Sequence, residues 1–301
     1  MLRSFSASDF PAARVLDAKR GRRISVCLPA KDEEATIGAT VAAIRTALVE
    51  RDAVVDELVV IDDSSQDSTA AVAADAGARV LAAADILPEH GAVGGKGQAM
   101  WRGVYATTGD IVVFCDADIR SFDPAFVLGL AGPLLVADDV AFVKGFYDRP
   151  LDGRPGGGGR VTELMARPLI SMLFRDLAAV AQPLAGECAG RREVLESVPF
   201  VDGYGVDLGL LIDITARHGI SSLVQCDLGQ RVHRNRPLSE LGAQALAILQ
   251  LGLARSGLAG TPVASTMSRP DGTSVSVSLT EHPPLCGLPS NPERTSERRS
   301  A

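Results

Sequence analysis

The chain has 301 residues, 46% hydrophobic and 22% charged, as in a soluble globular enzyme with a sizeable core. Its 30 Lys and Arg against 37 Asp and Glu leave a formal net charge of −7, which argues against a broad nucleic-acid surface but leaves room for a local cationic pocket. Aromatics, at 4%, are too few to favour an aromatic-lined carbohydrate groove over aliphatic packing.

The lead-in, residues 1–22, has no apolar core of signal-peptide length, and nothing beyond it approaches the roughly 18 uninterrupted apolar residues of a membrane span. The expectation is a cytoplasmic protein. "RISVCLPA" (23–30) is a short apolar run with β-branched residues ending near a proline, the pattern of a buried strand. It is followed by Ile37, Val41, Ile44 and Leu48 at helical spacing. "VDELVVIDDSSQDSTAAVAADAG" repeats the plan, with a strand over 57–61, a polar turn and an alanine-rich helix that stops near Gly77.

"ARVLAA" predicts a third strand, "GGKGQAMWRGVYATTG" a glycine loop entering a helix, and "DIVVFCDAD" a fourth strand. Strands alternating with helices predict a parallel, doubly wound sheet whose ligands sit at the carboxyl ends of the strands. "AFVKGFYDRP" reads as a further strand, and "LDGRPGGGGRVTEL" as a glycine loop feeding the helix "MARPLISMLFRDLAAVAQPL". A strand and more helices follow. From residue 259 the chain is rich in Ser, Thr, Pro, Gly and Arg with little apolar periodicity, so a flexible tail is expected over 259–301.

The five cysteines include no C-x-x-C pair and no zinc spacing, and Cys27 and Cys115 sit inside apolar runs; all are read as reduced structural thiols. Asp116 and Asp118, two apart at a strand end, point the same way and can offer two carboxylates to one hard cation, or stand merely solvated in a turn. The acids after the first two strands, Asp32, Glu33 and Asp67, can meet a base and ribose or serve as helix N-caps. Lys96, in a glycine loop that is neither a Walker loop nor G-x-G-x-x-G, can reach a phosphate or lie in a bare loop. Gly156 to Gly159, followed by Arg160 and Thr162, form a second anion site or a linker. His233 lies among Arg231, Arg234 and Arg236; it is a metal ligand or a structural histidine, and the arginines suit phosphates.

The order of "LPAKDEE", "VVIDDSSQDST", "GGKGQAMWRG", "VFCDAD", "GGGGRVTEL", "QPLAGE", "GYGVDLGLLID" and "QRVHRNRPLSELG" resembles the glucosyl-3-phosphoglycerate synthases, retaining glycosyltransferases of the GT-A fold, over roughly residues 23–255. The resemblance implies an α/β GT-A domain with a Rossmann-like, mostly parallel sheet flanked by helices. Within it, 23–140 would be the nucleotide-sugar-binding half and 141–258 an elaborated acceptor-binding half.

It implies that Pro29, Ala30, Asp32 and Glu33, with Asp63 or Ser64, hold the nucleotide, and that Lys96 approaches the donor diphosphate. Asp116 and Asp118 match the metal motif, with Asp116 also near the ribose, and His233 matches the motif's histidine partner for Mg²⁺ or Mn²⁺. Gly159, Arg160 and Thr162 match the acceptor cradle, and Leu184 and Tyr204 the surroundings of the transferred sugar. Asp207 stands where such enzymes typically carry a glutamate, one methylene longer. The implied reaction moves glucose from an NDP-glucose, expected to be UDP-glucose, to the 2-hydroxyl of 3-phosphoglycerate, in a homodimer with no membrane or nucleic-acid partner. Asp207, Lys96 and Arg160 are its expected catalytic residues. Three rivals stand beside this reading. One is another GT-A transferase, using GDP-mannose or a polyprenyl phosphate; the others are a sugar-nucleotide-forming nucleotidyltransferase and a silent nucleotide-sugar-binding protein.

Overall fold

The structure is a computed structural model that describes residues 2–91, 94–148, 159–231, 238–258 and 265–291. In chain order the main elements are β1 (Arg3–Ser6), α1 (Ala12–Lys19), β2 (Ile24–Ala30), α2 (Ile37–Ile44), β3 (Glu57–Asp62), α3 (Thr69–Asp75), β4 (Arg79–Ala82), α4 (Lys96–Ala106) and β5 (Ile111–Phe114). They continue as α5 (Ala125–Val136), β6 (Phe142–Asp148), α6 (Arg167–Leu173), β7 (Cys188–Arg191), α7 (Arg192–Leu195), β8 (Phe200–Val201), α8 (Val206–His218), β9 (Leu223–Gln230) and α9 (Leu238–Arg255). Three short strands close the series: β10 (Thr266–Ser268), β11 (Ser274–Ser276) and β12 (Glu281–His282).

Strands 2, 3 and 5 are largely apolar on both faces because both faces are covered. Ile24, Val26 and Leu28, with Leu58, Val60, Ile111 and Val113, face one hydrophobic core. The alternate positions Cys27, Val59, Ile61, Val112 and Phe114 face the other. The sheet runs β1-β9-β6-β7-β5-β2-β3-β4. All neighbours are parallel except β7, which lies antiparallel to both β5 and β6. The expected mostly parallel sheet with covering helices is therefore present, and the carboxyl ends of β2, β3 and β5 share one edge.

Three expectations need correction. The lead-in is part of the sheet: β1 pairs with β9, Arg3 opposite Val224, and Phe10 and Val15 are buried in the first core. The helix expected over "MARPLISMLFRDLAAVAQPL" stops at Leu173 and is followed by a separate 3₁₀ turn over Arg175–Ala179. The expected flexible tail is held over 265–291. There β12 pairs antiparallel with β8, and Leu285 and His282 are buried. That attachment relies on backbone pairing and a few single anchors, so it leaves no apolar periodicity to read. No helix among the described residues is long and apolar enough to cross a membrane.

Candidate active site

The loops that follow β2 and β3 brace each other. The Asp32 N–H donates to Ser65 Oγ (3.0 Å) and the Gln66 N–H to Asp32 Oδ1 (2.7 Å). The Glu33 N–H donates to Thr69 Oγ1 (2.7 Å), and the Ser68 N–H to Glu34 Oε2 (2.9 Å). These are braces between loops; of the acids expected as helix caps, Asp67 accepts from the Thr69 N–H (3.0 Å) at the start of α3, while Asp32 and Glu33 line the cavity described below. The Thr36 hydroxyl at the start of α2 donates to Ala117 O (2.7 Å), fixing the turn between Asp116 and Asp118.

Glycines let the pieces close up. Gly95 (φ +147°) caps α4, and its N–H donates to Asp63 Oδ2 (2.7 Å). Burial pushes the Asp63 carboxyl above its ordinary value, and the Gly95 N–H and Lys31 pull it back. A Cβ on Gly186 would lie 2.2 Å from Asp116 Oδ1, so only glycine leaves room for that carboxylate.

Three cations and four carboxylates interlock at the sheet edge. Lys96 Nζ lies 2.8 Å from Asp116 Oδ1 and 3.3 Å from Asp207 Oδ2, and Lys144 Nζ lies 2.9 Å from Asp207 Oδ1. The Arg231 guanidinium bridges Asp116 Oδ2 (3.0 Å) and Asp118 Oδ1 (2.5 Å), and also reaches Glu187 Oε1 (2.7 Å). Burial alone would lower the Lys96 ammonium, but Asp116 and Asp207 outweigh it and hold the group well above its ordinary value. Burial would raise Asp116; Lys96 and Arg231 outweigh it and hold the carboxyl well below the usual range. Glu187, with no exposed surface, is pushed up by burial against the pull of Arg231.

A cavity of about 670 Å³ opens over this network. Of the residues expected at the site, Pro29, Ala30, Asp32, Glu33, Asp63, Lys96, Asp116, Asp118, Gly159, Arg160, Thr162, Leu184, Tyr204 and Asp207 all line it. Ser64 is exposed with φ +63° and is not in the lining. His233 and Gly156 to Gly158 lie outside the described residues. Gly159 (φ +82°) precedes a wide helical turn over Thr162–Ala166 that leads into α6, and the Glu163 N–H donates to Gly159 O (3.0 Å). Thr162 is buried under that turn.

The lining carries six carboxylates against four cationic side chains, so a diphosphate entering it would meet a net negative wall. The chemistry of the donor set resolves this. Asp116 and Asp118 converge closely enough for one guanidinium to bridge them, and two converging carboxylates suit a hard divalent cation. Among the described residues no group of three His, Cys, Asp or Glu forms a complete metal cluster; the expected third ligand, His233, is not among them.

The chain matches known proteins. The family model "Glycosyl transferase family 2" matches residues 25–198. A relative from Mycolicibacterium smegmatis, glucosyl-3-phosphoglycerate synthase, is 45% identical over 294 residues, covering 95% of this chain and 96% of its own. The chain belongs to the glucosyl-3-phosphoglycerate synthase family, within glycosyl transferase family 2.

Among solved structures, the family's Mycobacterium tuberculosis member in complex with Mn²⁺, uridine-diphosphate-glucose and phosphoglyceric acid superposes with a TM-score of 0.86 at 43% identity, covering 95% of this chain and 98% of that one. The same M. tuberculosis enzyme is also known with Mg²⁺ and uridine-diphosphate. The mannosyl-3-phosphoglycerate synthase of Rubrobacter xylanophilus matches with a TM-score of 0.86 at 35% identity, covering 95% of this chain and 97% of that one.

In this family member, the sequence reading missed Lys144 and Glu187 and misjudged Arg231. Lys144 left a faint signal, a charged residue inside the apolar run "AFVKGFYD", where a buried cation requires a partner. Arg231 was expected to face phosphate with its neighbours; it faces carboxylates, with its side chain only 4% exposed.

Proposed function

We propose that this chain transfers glucose from UDP-glucose to the 2-hydroxyl of 3-phosphoglycerate, with retention at the anomeric carbon. One observation carries the reading: a single cavity is lined both by the donor residues of the first half, from Pro29 to Asp118, and by Gly159, Arg160, Thr162, Leu184, Tyr204 and Asp207 of the second. The relatives named for this reaction, and the complex holding Mn²⁺, uridine-diphosphate-glucose and phosphoglyceric acid, support the same substrates here. The proposed division is a donor half over 23–140 and an acceptor half over 141–258.

Asp63, with Pro29, Ala30, Asp32 and Glu33, forms the nucleotide wall; Ser64 stands in the turn beside it. Asp116, Asp118 and His233 would hold Mg²⁺ or Mn²⁺, which when bound neutralises charge on the leaving diphosphate. Lys96 supplies a positive charge beside Asp116. Arg160 and Thr162 orient the anionic acceptor, turning two substrates into one aligned pair. Asp207, pinned by Lys96 and Lys144, presents a fixed acceptor edge to the sugar hydroxyls.

The bond from the anomeric carbon to the diphosphate oxygen breaks, and the bond to the acceptor 2-oxygen forms on the same face. The acceptor proton passes to the departing phosphate oxygen, releasing UDP. This path needs no covalent nucleophile.

A screen of UDP-glucose, GDP-glucose and GDP-mannose against 3-phosphoglycerate, with and without Mg²⁺ or Mn²⁺, tests the reading. The expected result is metal-dependent UDP release with glucosyl-3-phosphoglycerate as product; pyrophosphate release, or binding without turnover, overturns it. A mannosyl transfer is the second reading, favoured by the equal TM-score to the mannosyl-3-phosphoglycerate synthase and by the shorter carboxylate at Asp207. A homodimer and a cytoplasmic setting complete the proposal.

A further inference from the structure

We infer that His282, in the C-terminal segment beyond the family 2 match, is a positioning residue for the sugar-binding turn of the active site; this rests on the proposed glucose transfer. The turn begins at Asp202, continues through a 3₁₀ turn over Gly203–Gly205, and enters α8, which carries Asp207. Tyr204 and Asp207 line the cavity. The position of this turn therefore fixes where the sugar is held.

Asp202 is only 8% exposed, and His282, at 3%, is the side chain bonded to its carboxylate, Nε2 to Oδ1 at 3.0 Å. The other oxygen, Oδ2, is buried with no hydrogen-bond partner among the described residues. The backbone adds a second hold, since the Asp202 N–H donates to Thr280 O (2.9 Å) while β12 pairs with β8, His282 opposite Phe200. On its far side the His282 ring stacks on fully buried Trp101, with centroids 4.6 Å apart, and the Trp101 Nε1–H donates to Pro283 O (2.8 Å). Trp101 lies on α4, the helix that begins with Lys96.

The opposite wall of the turn is as tight. A Cβ on Gly97 would lie 1.8 Å from Val201 O, and one on Gly95 would lie 3.0 Å from the Gly203 nitrogen. His282 thus locks three pieces into one unit: the cap of α4 with Lys96, the turn with Tyr204, and the start of α8 with Asp207. Nothing in the described structure puts His282 itself on the cavity wall, so its effect on transfer runs through Asp202.

The test compares His282→Ala, His282→Gln and Glu281→Gln in steady-state kinetics and thermal melts of the full chain. Gln places an N–H donor near the position of Nε2 and keeps the bond to Asp202. Glu281→Gln removes the charge from the neighbouring ion pair with Arg255 (2.6 Å) without touching Asp202. The expected result is that His282→Ala lowers kcat/KM for UDP-glucose about tenfold or more, leaves KM for 3-phosphoglycerate within about twofold, and is largely rescued by Gln. Glu281→Gln should stay within about twofold of wild type throughout.

Three results overturn the inference: a folded His282→Ala with wild-type kinetics, a loss that Glu281→Gln reproduces, or failure of Gln to restore transfer while restoring the melting temperature. Should wild type itself transfer no glucose, the proposed function falls first, and that outcome is distinct from any of the three.

Discussion

Lys144 and Asp207 form a buried ion pair, 2.9 Å apart, with side-chain exposures of 1% and 8%. The lysine comes from the middle of β6 and the aspartate from the first turn of α8, so the pair ties the sheet to the helix that carries the carboxylate proposed to hold the sugar. Removing one side of such a pair leaves an uncompensated charge, at a cost on the order of 3–5 kcal/mol. Lys144→Met is therefore expected to lower the melting temperature by several degrees and to reduce kcat, as read by calorimetry and initial rates. Asp207→Glu should shift KM for the donor sugar while the chain keeps its fold.

Arg160 stands at the helical entry beside Gly159 and Thr162, on the side of the cavity proposed for the acceptor. Arg160→Ala is expected to raise KM for 3-phosphoglycerate about tenfold or more, equivalent to roughly 1.4 kcal/mol of lost binding or beyond. Binding of UDP, followed by calorimetry, should change little. An unaltered KM sinks the acceptor assignment.

Gly186 has no freedom to change. In Gly186→Ala the new methyl group would lie 2.2 Å from Asp116 Oδ1, so the carboxylate must swing away. Weaker Mn²⁺ binding by electron paramagnetic resonance and loss of turnover are expected, matching Asp118→Asn. Chelation of the metal by EDTA should abolish transfer in wild type, and added Mg²⁺ or Mn²⁺ should restore it.

Of the five cysteines, Cys27, Cys115, Cys188 and Cys226 are buried and Cys286 is exposed. Burial pushes the Cys188 and Cys226 thiols up to about 12, and those of Cys27 and Cys115 are raised as well. A thiol reagent at pH 8 should titrate one group rapidly in the native protein and five after denaturation. Rapid reaction at a second site contradicts the packing described for the core strands.

The strands behind the proposed donor side could be read from the chain because each is a local apolar run that ends near acids or a turn, as in "VVFCDAD". Their carboxyl ends fall on one edge whatever the rest of the molecule does, and that placed Asp63, Lys96, Asp116 and Asp118 in one cavity. The partners of those residues could not be read. Lys144 meets Asp207, and Arg231 meets Asp116, because β7 runs antiparallel between β5 and β6 and β9 lies beyond it. That order depends on non-local pairings with no local code. Polar, short attachments misled in the same way: β1 and β12 bury too few side chains to show a period.

The pairing of β1 with β9 joins residue 3 to residue 224, and that has a price in time. An edge strand made so long before its partner must wait, unpaired, until β9 has been made, and contacts of such long sequence separation slow folding. The segment with β1 is thus expected to be among the last to dock. Phe5 and Phe10, which pack in the first core once the segment docks, stay exposed until then.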